Sequence, residues 1–213
     1  MRIALIGDSQ GQGLWPHLSK LLTAAGHTVV LSRGIPGWGI PAYKKEGKLG
    51  AQLRAAAPEL VVYSLGGNNY EFNPSKYADQ VAWALAQIPQ SAEVLWLGPA
   101  HATRADVAER HDRTAAMEPP ILGSRWMDSA PYTQTGHADG VHFKSSVYKS
   151  WASAIAQHIG SEGASEAPGS PPVELVPSRA GAVARTSAPP WLPGLALGVG
   201  ALAAILVIRR WIK

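Results

Sequence analysis

The sequence predicts an α/β fold in which a mostly parallel sheet is flanked by helices, and three observations predict it. Short apolar runs recur at residues 2–6, 28–31, 60–65 and 94–97. Their continuous apolar character suits strands covered on both faces. The stretches between the first runs place apolar residues at helical spacing, and strands that alternate with helices build βαβ units.

The elements follow in order. Arg2-Ile3-Ala4-Leu5-Ile6 reads as the first strand and leads directly into Gly7-Asp8-Ser9-Gln10. Leu14, Leu18, Leu21, Leu22 and Ala25 then repeat as one helix face, and Gly26 is the expected C′ residue. The second strand runs into Gly34-Ile35-Pro36-Gly37-Trp38-Gly39, and the third into Gly66-Gly67-Asn68-Asn69. Asn73-Pro74, a cap followed by a first-turn proline, opens a helix that turns Tyr77, Val81, Ala84, Leu85 and Ile88 inward. Residues 102–117 are polar with helical character and are expected to end at Pro119-Pro120, within an excursion over 100–135 near the mouth of a site. A last helix over 144–159 aligns Val147, Trp151, Ile155 and Ile159.

Composition divides the chain at about residue 160. Of 19 Lys+Arg and 15 Asp+Glu, residues 1–160 hold 14 and 12. The net charge of +4 comes without a basic stripe interleaved with aromatics, which excludes a nucleic-acid partner. There is no cysteine, and with it no disulfide, thiolate metal site or cysteine nucleophile. Residues 161–190, rich in Pro, Gly, Ser and Ala, read as a linker. Residues 191–213 read as a single-pass membrane anchor: 18 uncharged residues from Trp191 to Ile208 span about 27 Å as a helix, and Arg209, Arg210 and Lys213 follow as a basic stop. Trp191 and Trp211 bracket this bilayer-facing segment, and Gly194 and Gly198 offer a close helix–helix contact for a dimer. Nothing at the N-terminus reads as a signal peptide, so a tail-anchored protein is expected, and insertion in either orientation fits.

The chemistry turns on Ser9. A serine is inert near neutral pH until a base takes its proton and a third group orients that base. Asp139-Gly140-Val141-His142 supplies both: three residues apart on a turn, the carboxylate reaches the imidazole and leaves the other ring nitrogen for Ser9. Asn68, at the end of the third strand, offers an amide to an oxyanion, and Gly37, with Gly34 as the other candidate, a backbone N–H. Trp38 is expected to wall the pocket. Each piece alone is also an ordinary turn, and Asp8 or Ser9 an ordinary helix cap; their joint order along one sheet edge is not ordinary.

Taken together, these blocks make the domain over 1–160 resemble the SGNH hydrolases, the GDSL esterase/lipase family. Gly7-Asp8-Ser9 matches its first block, Gly37 its second, Gly66-Gly67-Asn68-Asn69 its third and Asp139-Gly140-Val141-His142-Phe143 its fifth. Gln10 stands where the family has Leu, and Asn69 where it usually has Asp. The resemblance implies a three-layer α/β/α sandwich of flavodoxin-like type, with Ser9 as nucleophile, His142 as general base and then acid, and Asp139 as its orienter. It further implies an oxyanion hole of the Ser9 N–H, the Gly37 N–H and the Asn68 amide, with no metal and no cofactor. Asn69, Tyr70, Phe72 and His101 are candidates for substrate contact beside Trp38.

Expected partners are therefore an ester, either an acylated carbohydrate or a lipid, and the bilayer through 191–211. The favoured function is a membrane-anchored esterase that removes acyl groups, O-acetyl above all, from cell-envelope carbohydrate. A lysophospholipase or thioesterase on the same fold, a non-catalytic glycan-binding module and a virion membrane component are the alternatives.

Overall fold

A computed structural model describes residues 1–165, with side chains placed through 161. All but the first residues of the segment read as a linker over 161–190, and all of the segment read as a membrane anchor over 191–213, lie outside the described residues. Five parallel strands, β1 (Arg2–Gly7), β2 (Thr28–Gly34), β3 (Leu60–Ser64), β4 (Glu93–Leu97) and β5 (Trp126–Met127), stand in the order β2-β1-β3-β4-β5. Among the described residues six α-helices accompany them: α1 (Ser9–Ala24), α2 (Ile40–Glu46), α3 (Leu49–Ala56), α4 (Pro74–Ala86), α5 (Ala105–Leu122) and α6 (Ser145–Ser165).

Alternation along the strands divides the core into two layers. Ile3 and Leu5 of β1 and Val62 of β3 pack with Leu14 and Leu18 of α1 and Trp151 and Ile155 of α6. Ala4, Ile6, Val61 and Tyr63 face the other way, onto Tyr43, Leu53, Tyr77, Val81 and Leu122 of α2 to α5. This is the three-layer sandwich expected from the sequence.

Local signals set the helix ends as read. Asn73 caps α4, its side-chain oxygen accepting the N–H groups of Ser75 and Lys76 with Pro74 in the first turn. Gly26, at φ +83°, follows α1. Three features differ from the sequence reading. β2 is an edge strand, so its residues are only partly covered in spite of their apolar run. α5 continues through Pro119 and Pro120 to Leu122. α6 continues past Ile159, where the sequence reading ended the last helix, through Gly160 to Ser165.

One topological fact positions the site. The chain leaves β1 for β2 on one side and returns to β3 on the other, which makes the carboxyl end of β1 the switch point where open α/β sheets bind ligands. Space there is tight. A Cβ on Gly34 would overlap the backbone of Gln12, and Gly7 is hemmed by Gly11, Trp15 and the Ser64 carbonyl. Gly34 thus serves the approach of β2 to α1. Gly34→Ala is expected to destabilise the full-length chain by about 2 kcal/mol, as overpacking against unyielding backbone does, read as a lowered urea midpoint at unchanged slope.

Candidate active site

Ser9 is the first residue of α1, directly after β1. Asp8 is the helix cap, its Oδ1 accepting the Gln10 N–H at 2.8 Å. The cap reading of this tetrapeptide is thus realised at Asp8, with Ser9 directly beside it. As a first-turn residue, Ser9 carries an N–H that finds no acceptor within the helix and faces outward from its positive end.

The Ser9 Oγ lies 2.9 Å from His142 Nε2, and His142 Nδ1 lies 2.8 Å from Asp139 Oδ2. A carboxylate only accepts, so the Nδ1–H donates to Asp139 and Nε2 is left to accept the serine proton. Asp139 Oδ1 takes the N–H groups of Val141 at 3.0 Å and His142 at 2.7 Å, closing the turn on itself. The His142 side chain, followed by these N–H groups, holds the Asp139 carboxyl well below the usual carboxylate range. The turn is tied down from both sides: Gly140, at φ +83°, gives its carbonyl to the N–H groups of Thr103 and Arg104, and the Val141 carbonyl accepts Gln10 Nε2 at 2.7 Å. Gln10 Oε1 accepts the Tyr148 hydroxyl of α6 at 2.9 Å. Gln10, one of the two departures from the family pattern, is thus the strut that links the start of α1 to the turn that carries His142.

Asn68 donates its Nδ2 to Asp8 Oδ2 at 3.0 Å. An amide carries two N–H bonds, so this contact fixes the group while leaving the second free for an oxyanion. Gly37 sits at φ +75° in the exposed turn after β2, a conformation suited to glycine. Trp38 packs edge-on against Tyr43 at 5.1 Å, with the Arg33 guanidinium over its ring.

Asn69, read as a candidate for substrate contact, is 1 % exposed, with Oδ1 accepting the Ile40 N–H at 3.0 Å and Nδ2 donating to Gln80 Oε1, which places it beneath the surface of the site. Tyr70 is 72 % exposed and Phe72 is also exposed, each with an arginine over its ring, Arg110 at 4.6 Å and Arg113 at 4.9 Å. His101 is half-buried against His137, whose Nε2 hydrogen-bonds its carbonyl. The sequence reading missed His111, whose Nε2 would lie 2.9 Å from a Cβ on Gly67 and whose Nδ1 is 2.6 Å from the Ala100 carbonyl. Beneath the turn, Asp8, Gln10, Ser64, Gly67, Gly98, Ala100 and His111 line a cavity of about 10 Å³, room for one water at most. Among the described residues no cluster of His, Asp and Glu could hold a metal ion.

Neither a protein-family model nor a curated protein matches the chain. Solved structures do. The lipase/acylhydrolase from Enterococcus faecalis aligns at 18 % identity and a TM-score of 0.63, over 76 % of this chain and 96 % of its own. Est24, a carbohydrate acetylesterase from Sinorhizobium meliloti, aligns at 13 % identity and 0.64, over 76 % and 99 %. The chain has the SGNH hydrolase fold. The aryl esterase of M. smegmatis, at 16 % identity and 0.61 over 75 % and 98 %, shares that fold as well. Sugar-ester, aryl-ester and lipase names on one SGNH scaffold mean that substrate has to be argued from side chains.

Burial pushes the Asp8 carboxyl up to about 6 from 3.8, against the N–H groups of Gln10 and Gly11 and the nearby His142. The native state therefore keeps this proton to higher pH than the unfolded chain does. Stability from this group is fully present below about pH 4 and is lost as pH rises towards 6, a swing of about 3 kcal/mol. Urea unfolding across pH 4 to 6.5 is expected to show that loss in the wild type and a flatter slope in Asp8→Asn. Parallel slopes would remove Asp8 as its source.

Proposed function

We propose that the chain is a serine esterase that removes small acyl groups, O-acetyl above all, from carbohydrate. One observation carries the reading: the continuous hydrogen-bonded sequence Ser9–His142–Asp139 at the switch point of an SGNH sheet. Ser9 Oγ attacks the ester carbonyl carbon as its proton passes to His142 Nε2, and the Asp139 carboxylate stabilises the imidazolium. The carbonyl oxygen, now an anion, takes hydrogen bonds from the Ser9 N–H, the Asn68 amide and the Gly37 N–H. The tetrahedral species collapses, its C–O bond to the alcohol breaks, and His142 returns the proton to that leaving oxygen. Water then attacks the acyl-enzyme with His142 as base, releasing the acid and restoring Ser9. No step calls on a cofactor.

Three features favour a small acyl group on a bulky alcohol. His142 and Asp139 retain 41 % and 57 % side-chain exposure, so the reacting centre is open to a polymer. The cavity behind the serine turn holds no alkyl tail. Tyr70 presents an exposed ring on the rim two residues from Asn68, held from one side by Arg110, which suits stacking on a sugar face. Est24, a carbohydrate acetylesterase by name, provides a precedent on this scaffold.

The C-terminal sequence adds a tether: we propose that residues 191–211 anchor the domain to a bilayer and that the linker lets it sweep the adjacent surface, which suits acylated envelope glycans. Among the described residues no helix is long and apolar enough to cross a membrane.

Ser9→Ala is expected to lower kcat on p-nitrophenyl acetate by about 10⁴-fold or more and to abolish labelling by an organophosphonate ester. Unchanged turnover removes Ser9 as nucleophile. Acetyl release from acetylated polysaccharide, with p-nitrophenyl acetate cleaved at least about tenfold faster than the octanoate by kcat/KM, supports the carbohydrate reading. Preference for the longer chain overturns it in favour of a lipase.

A further inference from the structure

Glu118 is a buried carboxyl that the esterase chemistry leaves unused. It is fully inaccessible, yet both oxygens are occupied: Oε1 accepts the Tyr77 hydroxyl at 2.7 Å and the Trp96 indole N–H at 3.0 Å, and Oε2 accepts the Trp126 indole N–H at 3.0 Å. Those donors come from α4, β4 and β5, so one side chain of α5 binds three other elements. Burial pushes its carboxyl up to about 8, so the group is held there at a cost rather than by solvation.

What it supports lies next to the site. Gly66, at φ +125°, rests directly on the carboxyl, where a Cβ would stand 2.6 Å from Oε1. Three residues on, the Asn69 N–H closes the turn onto the Gly66 carbonyl at 3.0 Å, with Asn68 between them. The Tyr77 hydroxyl that donates to Glu118 stands against the same glycine, 3.2 Å from that Cβ position. Asn69 Oδ1 in turn accepts the Ile40 N–H, at the end of the loop that carries Gly37. Glu118 and Tyr77 thus support Gly66, the Gly66 carbonyl holds the Asn69 N–H, and Asn69 ties the turn after β3 to the loop after β2.

We infer that Glu118 is a positioning residue for ester cleavage, holding the Asn68 turn and the Gly37 loop in register, together with Tyr77, through Gly66 and Asn69. This rests on the esterase reading above. It predicts a loss confined to the transition state, because the oxyanion exists only there.

The test is a double-mutant cycle on the full-length chain with p-nitrophenyl acetate. Tyr77→Phe removes the hydroxyl beside Gly66 with little change of shape and leaves Glu118 its two indole donors; Glu118→Gln keeps the shape and spoils one donor contact. Each is expected to lower kcat by about 10- to 100-fold with KM within about twofold, and Asn68→Ala by about 100-fold. In the Asn68→Ala background, Tyr77→Phe is expected to cost several-fold less than it costs alone, because one of the two groups it positions is gone. A Tyr77→Phe enzyme with wild-type kcat overturns the inference, as do losses that multiply in the double variant, since those belong to general destabilisation. Should Glu118→Gln fail to fold, Tyr77→Phe decides alone. A wild-type chain that cleaves no ester defeats the esterase reading and this role together. An active wild type beside an unaffected Tyr77→Phe defeats this role only.

Discussion

The site depends first on the buried carboxylate of Asp8. It accepts the Gln10 N–H that starts α1 and the Asn68 amide in the turn after β3, so Ser9 and Asn68 are located by the same two oxygens. The Asp8 N–H also bonds the Ser64 carbonyl at 3.2 Å, continuing the β1–β3 ladder one residue past the strands. Ser9 is therefore held by a sheet edge on one side and a helix start on the other, which is how a side chain keeps a reactive geometry without a deep pocket around it.

The two aspartates near His142 illustrate how environment divides labour between identical groups. Asp139 is exposed and its charge is solvated by its own turn's N–H groups and by the imidazole, which keeps it ionised. Asp8 is buried, and desolvation works against its charge. A charged, strongly hydrogen-bonded carboxylate suits the orienting of an imidazole through repeated proton transfer. A buried one, reluctant to ionise, suits the fixing of an amide, where low exposure strengthens each hydrogen bond it accepts. The same desolvation that lowers stability sharpens the site.

What the sequence made legible follows distance along the chain. The strand runs, the Asn73-Pro74 start of α4, the Gly26 stop of α1 and the Asp139–His142 pair all arise from residues within four positions of each other, where spacing alone specifies geometry. Gln10 was legible only as a departure, because its partners Val141 and Tyr148 lie 131 and 138 residues away. Asn69 reads the same as an exposed turn residue until Ile40 and Gln80 are seen to enclose it. The edge position of β2 was hidden for a related reason, since an apolar run does not say how many neighbours a strand has. α5 misled most: Arg110, His111, Thr114 and Glu118 recur at helical spacing and are buried, a polar stripe facing inward where the usual pattern has an apolar one.

That inverted stripe also explains how α5 passes through two prolines. Pro119 and Pro120 lack N–H groups, so the carbonyls of Ala115 and Ala116 lose their helical donors, and each proline disfavours helical backbone in the residue before it. Glu118 is such a residue. Local propensity alone ends the helix there, as the sequence reading expected. Three hydrogen bonds from Tyr77, Trp96 and Trp126 oppose that penalty, and all three require Glu118 to point into the protein from a helical turn. Arg110 adds a fourth tie one face-repeat earlier, its Nε donating to the Gly67 carbonyl at 2.6 Å. Tertiary bonds override propensity where a group has no other way to be satisfied. The helix is thus continuous where these tertiary bonds hold it, and the carboxyl that anchors it also lies directly under Gly66, at the start of the turn after β3.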